Sequence, residues 1–241
     1  MDITMNRITV PTENETFWAG VKDCVPTLLG YWSIGFAAGV VQYTAGLSLA
    51  EIAATSLLLY AGSAQFIAAG MISTASPPAA VILTVLFVNL RHLLLSAALS
   101  PYFKHLTPLK NMLIGALLTD ETFGVAIAKA AQNDRLAERW MHGLNLAAYL
   151  NWFAANIAGA VFGQWVADPQ KYGLDFALPA MFIGLLVLSL AGRNNLKRDL
   201  AVAAVAGAVA VGLQFAGAGS FGVILATLTA ATFGMVSEKW K

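Results

Sequence analysis

Asn89, Arg91 and His92 fall in the second half of an apolar run, Pro77 to Leu99, and Asp120 and Glu121 stand side by side between two shorter apolar runs. Polar groups in hydrocarbon are expensive, so each needs a task or a partner. The planar fork of Arg91 suits a substrate carboxylate; the competing reading is an arginine that snorkels to headgroups or neutralises an internal carboxylate. His92 suits a proton relay near neutral pH, or a neutral imidazole bonded between helices. Steps of three and four residues put Asn89, His92 and Ser96 on one helical stripe, with Arg91 pointing roughly the other way. Asp120 and Glu121 suit an ammonium group or a coupling proton; alternatively Thr119 and Asp120 cap a half-helix beginning at Thr122. Gly62-Ser63-Ala64-Gln65 is expected to break a second apolar run, Leu49 to Met71, and expose backbone to a ligand. A plain helix packing through small residues, with Gln65 bonded to a neighbour, fits the same four residues. Asn145, Asn151 and Asn156 read as glue between helices. Ser63 with His92 would be the nucleophile and base of a membrane enzyme, although their spacing fixes no distance between them. No metal site is expected, because His92, His105 and His142 are scattered and Cys24 is the single cysteine. No cofactor is expected either, since no Gly-rich loop leads to a Lys-Ser/Thr pair that would hold a nucleotide.

The elements that must position these residues are membrane helices. Charged residues make up 11 % of the 241 residues, hydrophobic ones 58 %, and mean hydropathy is +0.69; a soluble domain carries about 25 % charged residues. Net charge is +1, which leaves no basic field for nucleic acid. The fold class expected is all-α and polytopic, with about seven or eight crossings, some broken. Residues 1–24 read as an amino-terminal amphipathic segment, with Phe17 to Lys22 in the interface, and residues 25–241 as the transmembrane domain. Asp2, Arg7, Glu13, Glu15, Lys22 and Asp23 leave no secretory signal in that first stretch, so the amino terminus is expected to be retained. Spans are expected at Val25–Val41, Leu49–Met71, Pro77–Leu99, Gly143–Ala167 and Phe176–Leu190, with two more between Ala201 and Val236 around Gly217 to Ser220. The Asp120 segment is either a broken crossing or a re-entrant one. Eight crossings with the amino terminus inside place ten basic residues in the cytoplasm and three outside. Seven crossings, with the Asp120 segment not spanning and the amino terminus outside, give the same division, so the positive-inside rule does not choose. Both place the carboxyl terminus in the cytoplasm. An echo between Gly39–Leu59 and Gly159–Leu185 suggests a possible internal repeat.

The order Gly46-Leu47-Ser48, Ala61-Gly62-Ser63-Ala64-Gln65-Phe66, Val88-Asn89-Leu90-Arg91-His92 and Leu118-Thr119-Asp120-Glu121-Thr122, preceded by Pro26, Gly30 and Gly35, resembles the AzlC family of branched-chain amino-acid exporters. The likeness covers about residues 15 to 240, though the last third matches in hydropathy more than in motif. It implies a large subunit in the bacterial inner membrane, working with a small hydrophobic AzlD-type partner. The implied activity is secondary export of leucine, isoleucine, valine and sometimes methionine, driven by proton-motive force, and no enzyme activity. The residues to which the resemblance extends a substrate or coupling role are Gly62, Ser63, Gln65, Asn89, Arg91, His92, Asp120 and Glu121. The residues themselves agree on one point. A zwitterionic apolar substrate needs a cation, an anion and an apolar pocket, and Arg91, Asp120 or Glu121, and abundant Leu, Ile and Phe supply them. The alternative is a membrane scaffold subunit without a pathway of its own. The Ala- and Gly-rich spans after Ala201 are the expected partner contact, because small residues permit close helix approach.

Overall fold

A computed structural model describes residues 15–166, scattered positions from 168 to 190, and residues 195–217 and 219–239. In chain order the helices are α1 (Phe17–Thr44), α2 (Leu49–Leu58), α3 (Gly62–Ser73), α4 (Pro78–Asn89), α5 (Arg91–Leu99), α6 (Pro108–Ala116), α7 (Asp120–Ala130), α8 (Glu138–Gly163), α9 (Leu196–Phe215) and α10 (Gly219–Lys239). No strand occurs among the described residues. The chain divides into two compact units, Met1–Leu178 and Pro179–Lys241.

Local chemistry explains where the helices begin. Thr16 caps α1, and Ser48 with Glu51 forms a capping box on α2, each satisfying backbone N–H groups that have no partner inside the helix. Pro78 and Pro108 open α4 and α6, where a missing N–H costs nothing. The first crossing begins at Phe17 rather than Val25, so the stretch Phe17 to Lys22 is continuous with it. The second apolar run is broken, at Leu59-Tyr60-Ala61 and not at Gly62 to Gln65, which form the first turn of α3. Tyr60 supplies the bend with φ of +42°, a conformation an aromatic residue rarely adopts. In the third apolar run Leu90 keeps helical angles between α4 and α5, so that run is only slightly interrupted.

Two long helices form the core of the first unit. α1 and α8 run parallel, their amino-terminal ends meeting at Gly20 and Trp140 and their carboxyl-terminal ends at Gly39 and Asn156. The helices touch backbone to backbone. A Cβ at Gly20 would strike the Trp140 carbonyl and one at Gly143 the Phe17 carbonyl; Gly39 and Gly159 face the carbonyls of Asn156 and Phe36 in the same way. In each pair the carbonyl lies three residues before the opposite glycine, a local two-fold arrangement that makes Gly39 and Gly159 equivalent. These are the opening residues of the suggested repeat, whose later part lies largely outside the described residues. Along α8 the buried Trp140, Leu144, Ala148, Trp152 and Ala160 carry the four-residue spacing of one packing ridge.

Parallel α1 and α8 require an odd number of crossings between them, and the long stretch Pro78–Phe103 supplies one. Leu136 N donates to the Tyr102 carbonyl, Lys110 pairs with Glu138, and Asn145 donates to the Ile114 carbonyl, so α6 starts at the end of the unit where α1 and α8 begin. α7 returns to that end, with Glu121 at Tyr31 and Lys129 at Asp23. The Asp120 segment is therefore re-entrant, and α2–α3 must likewise turn back at Tyr60 to leave α1 and α8 parallel. Among the described residues three helical stretches are long and apolar enough to cross a membrane on their own: Phe17–Thr44, Pro78–Phe103 and Glu138–Gly163. The expected span Phe176–Leu190 falls mostly outside the described residues. In the second unit α9 and α10 form a helical hairpin around Gly217, with Gly234 packed on Val202.

Candidate functional site

Three chain breaks meet inside the first unit. Ser63 stands in the first turn of α3, Arg91 opens α5, and Asp120 opens α7. Arg91 Nη1 pairs with Asp120 Oδ2 at 2.9 Å, and Nη2 donates to Ser63 Oγ at 2.8 Å. Ser63 is buried, while the side chains of Arg91 and Asp120 keep 25 % and 22 % exposure. The ion pair is therefore only partly withdrawn from the space around it and can exchange its partner for a ligand. Thr119 caps α7: its side chain accepts from Thr122 N, and Thr122 Oγ1 accepts from Thr119 N at 2.9 Å. The half-helix thus starts at Asp120 rather than Thr122, because the reciprocal cap uses Thr119 and the residue three positions on.

Glu121 points to a different partner. Tyr31 donates its hydroxyl hydrogen to Glu121 Oε2 at 2.8 Å and also contacts the Thr119 hydroxyl. Tyr31 lies halfway along the 28-residue α1, which sets this group near the middle of the bilayer. The Tyr60 ring packs edge-on against Tyr149 at 4.8 Å, and its hydroxyl is buried without a hydrogen-bond partner among the described residues.

A second cluster, made of amides, lies nearer the carboxyl-terminal end of α1. Trp152 Nε1 donates to Gln65 Oε1 at 2.7 Å, Gln42 Nε2 to Asn156 Oδ1 at 2.8 Å, and Thr55 Oγ1 to Gln42 Oε1 at 2.9 Å. This cluster ties α1, α2, α3 and α8 together and is joined to the first by the Tyr31–Trp152 ring contact at 5.5 Å. Gly62 is required here, since a Cβ would sit 2.8 Å from the Trp152 ring. Asn145 and Asn151 donate to the carbonyls of Ile114 and Leu28, so all three asparagines join helices.

Of the eight residues singled out from the sequence, Ser63, Arg91 and Asp120 come together directly, Glu121 adjoins them through Tyr31 and Thr119, and Gly62 and Gln65 sit on Trp152. His92 lies beside Arg91 within reach of the Asp120 charge. Asn89 ends α4 with its buried Oδ1 unbonded among the described residues. The Ser63 hydroxyl is engaged by Arg91 and makes no bond to His92, so the pairing a serine hydrolase needs is not formed. Ser96 faces Gly115 of α6, while Arg91 reaches the first residue of α7.

Between α5 and α6 lies a half-open cavity of about 280 Å³, bounded by Leu99, Phe103, Ile114, Leu118 and Gly115 with Ser96 and Asn111. It begins at Leu118, immediately before the cap of α7, and extends toward the 3-10 turn at Ser100–Phe103. Its walls are almost wholly apolar. Sequence reading gave no role to Tyr31, Tyr60, Gln42 or Trp152. Gln42 carried a readable signal, as a lone amide in an apolar run; Tyr31 carried a weaker one, as a tyrosine in mid-span rather than at an interface.

Residues 26–166 match the family model of the AzlC protein. The inner membrane protein YgaZ of Escherichia coli strain K12 is 32 % identical over 200 residues, covering 81 % of this chain and 80 % of that protein. An uncharacterized membrane protein of Archaeoglobus fulgidus is 31 % identical over 220 residues, covering 90 % and 93 %. The branched-chain amino acid transport protein AzlC of Bacillus subtilis strain 168 is 26 % identical over 174 residues, covering 70 % and 68 %. No solved structure matches the chain.

Proposed function

The chain belongs to the AzlC family, and on that premise we propose that it is the large subunit of a proton-coupled secondary exporter of branched-chain amino acids. The observation that carries this reading is the Arg91–Asp120 pair, set at the junction of α3, α5 and α7, with an apolar cavity of about 280 Å³ whose wall reaches Leu118, two residues before Asp120. An amino-acid carboxylate would take Arg91 and Ser63, its ammonium would take Asp120, and its aliphatic side chain would enter the cavity. A cavity of about 150 Å³ already holds benzene, so this one has room for an isobutyl or sec-butyl group. A helix end at the midplane adds to the binding, since the positive amino-terminal end of α3 favours a carboxylate. A chain that only supported assembly has little use for a part-exposed ion pair inside the membrane.

The small partner follows from the family, and its contact is assigned to the Ala- and Gly-rich α9 and α10; no described residue of α9 is buried. The chain is assigned to the inner membrane of the cell, with the carboxyl terminus on the cytoplasmic face, from the distribution of its basic residues.

The test is counterflow of labelled leucine in proteoliposomes holding this chain alone, this chain with its AzlD-type partner, and the pair with Asp120→Asn. Flux that needs the partner and is lost in an intact Asp120→Asn complex supports the exporter. A folded pair that moves no branched-chain amino acid under any proton gradient overturns it in favour of the scaffold.

A further inference from the structure

Two adjacent carboxylates face different surroundings. Asp120 has a cation at 2.9 Å, whereas Glu121 has no basic group within ion-pair distance among the described residues and is held by the Tyr31 hydroxyl. We propose that Glu121 is the proton-carrying group of transport, with Tyr31 positioning it, while Asp120 serves the substrate. This rests on the exporter reading and names the group through which it is driven.

The surroundings of Glu121 carry the argument. From α1 comes Tyr31, from the α2–α3 break Tyr60, and from its own helix Asp120. On α5 Arg91 and His92 lie toward Asp120. α8 presents Trp152 and Tyr149 at this level. Lys129, the cation of α7, is about 12 Å farther along the helix, where it pairs with Glu15 and Asp23. A carboxylate in a membrane interior without a cation beside it costs several kcal/mol, and binding a proton removes that cost. Tyr60 adds a buried hydroxyl with no hydrogen-bond partner among the described residues, a ready place for the hydrogen bond of a water or a protonated carboxyl.

The hydrogen-bond chain also supplies the coupling. With Glu121 ionised, Tyr31 donates to it, and the Thr119 hydroxyl donates to Tyr31. With a proton on Glu121 a new O–H bond forms, Glu121 becomes a donor, and the Tyr31 hydrogen is free to turn to Thr119. Thr119 is the cap that seats Asp120. Release of the proton on the other side of the membrane breaks that O–H bond and restores the first arrangement, so one proton crosses per cycle and no other bond changes.

The experiment compares the wild-type pair with Glu121→Gln and Tyr31→Phe in proteoliposomes by leucine counterflow without a gradient and by accumulation driven by a pH gradient. Glu121→Gln, fixed in the neutral form, is expected to keep counterflow within about two-fold and to lose driven accumulation at least about ten-fold. Tyr31→Phe is expected to keep both activities and to shift the pH dependence of counterflow. Driven accumulation equal to wild type in Glu121→Gln overturns the proposal. So does loss of counterflow in a folded Glu121→Gln pair, which would put Glu121 in substrate binding. If Glu121→Gln does not assemble, Tyr31→Phe decides: a shifted pH profile supports the proposal and an unchanged one overturns it. Absence of counterflow in the wild type fails the exporter reading instead. Proton binding is then read from the carboxylic-acid stretch in infrared difference spectra between two pH values. A band lost in Glu121→Gln or displaced in Tyr31→Phe upholds the proton site, and an identical spectrum in both variants overturns it.

Discussion

Arg91 touches two elements at once, which a point charge on a flexible stem does less well, and the cavity whose wall reaches Leu118 gives the substrate side chain a place. Gly115 offers the cleanest way to change that cavity. A Cβ there would lie 3.4 Å from Ser96 Oγ, close but tolerable, so valine fills space without breaking the helix pair. Gly115→Val is therefore expected to lower leucine counterflow while sparing alanine, moving the leucine-to-alanine ratio by roughly 10-fold, the scale of one to two methylenes in an apolar pocket. An unchanged ratio with reduced total flux would detach the cavity from side-chain recognition. The individual charges were legible in the sequence because charge in an apolar run is rare. Their partners were not: Arg91 with Asp120 and Ser63 joins positions whose separation in the chain carries no periodic signal, and Tyr31 hides among apolar residues that it resembles on every face but one.

The pairing of α1 and α8 depends on glycine at points of backbone contact, and it makes a matched comparison available. Gly39 faces the Asn156 carbonyl with no room for a Cβ, whereas Gly30, on the same helix, has nothing within 4 Å of where one would stand. The obstacle at Gly39 is backbone, which cannot rotate away. Gly39→Val is expected to lower stability by about 3 kcal/mol or more, the upper range for overpacking, and Gly30→Ala to be neutral or stabilising by up to about 1 kcal/mol. Thermal unfolding in detergent reads both, and equal melting temperatures for the two variants would mean the close approach is absent. Glycines in the apolar runs were plain in the sequence, but which of them faced a helix and which faced lipid was not, since both surroundings are equally apolar. The breaks were legible as approximate places. Their residues shifted because Tyr60, not a glycine, takes the positive φ, and because Thr119 caps a helix that starts two residues earlier than the acidic pair suggested.

At the scale of the whole molecule, charge counting left the Asp120 segment either crossing or re-entrant, and contacts between loops distant in sequence separate the two. α7 returns to the side where α1 and α8 begin, which puts the loop between α7 and α8 there, and the Tyr102–Leu136 and Lys110–Glu138 contacts put the loop between α5 and α6 on that same side. The first of those loops and its flanks hold Lys129, Arg135 and Arg139, which by the positive-inside rule belong in the cytoplasm. Cys24, the only cysteine, is buried in the core, so Cys24→Ala provides a background for single reporters. On it, His105→Cys and Gln132→Cys are both expected to react with a membrane-impermeant maleimide only after the cells are opened; both positions are exposed in the fold. Reaction of one of them in intact cells and of the other only after opening would make the Asp120 segment a full crossing. That would also undo the Lys110–Glu138 and Tyr102–Leu136 contacts, so labelling two loops tests the frame on which the position of Glu121 depends.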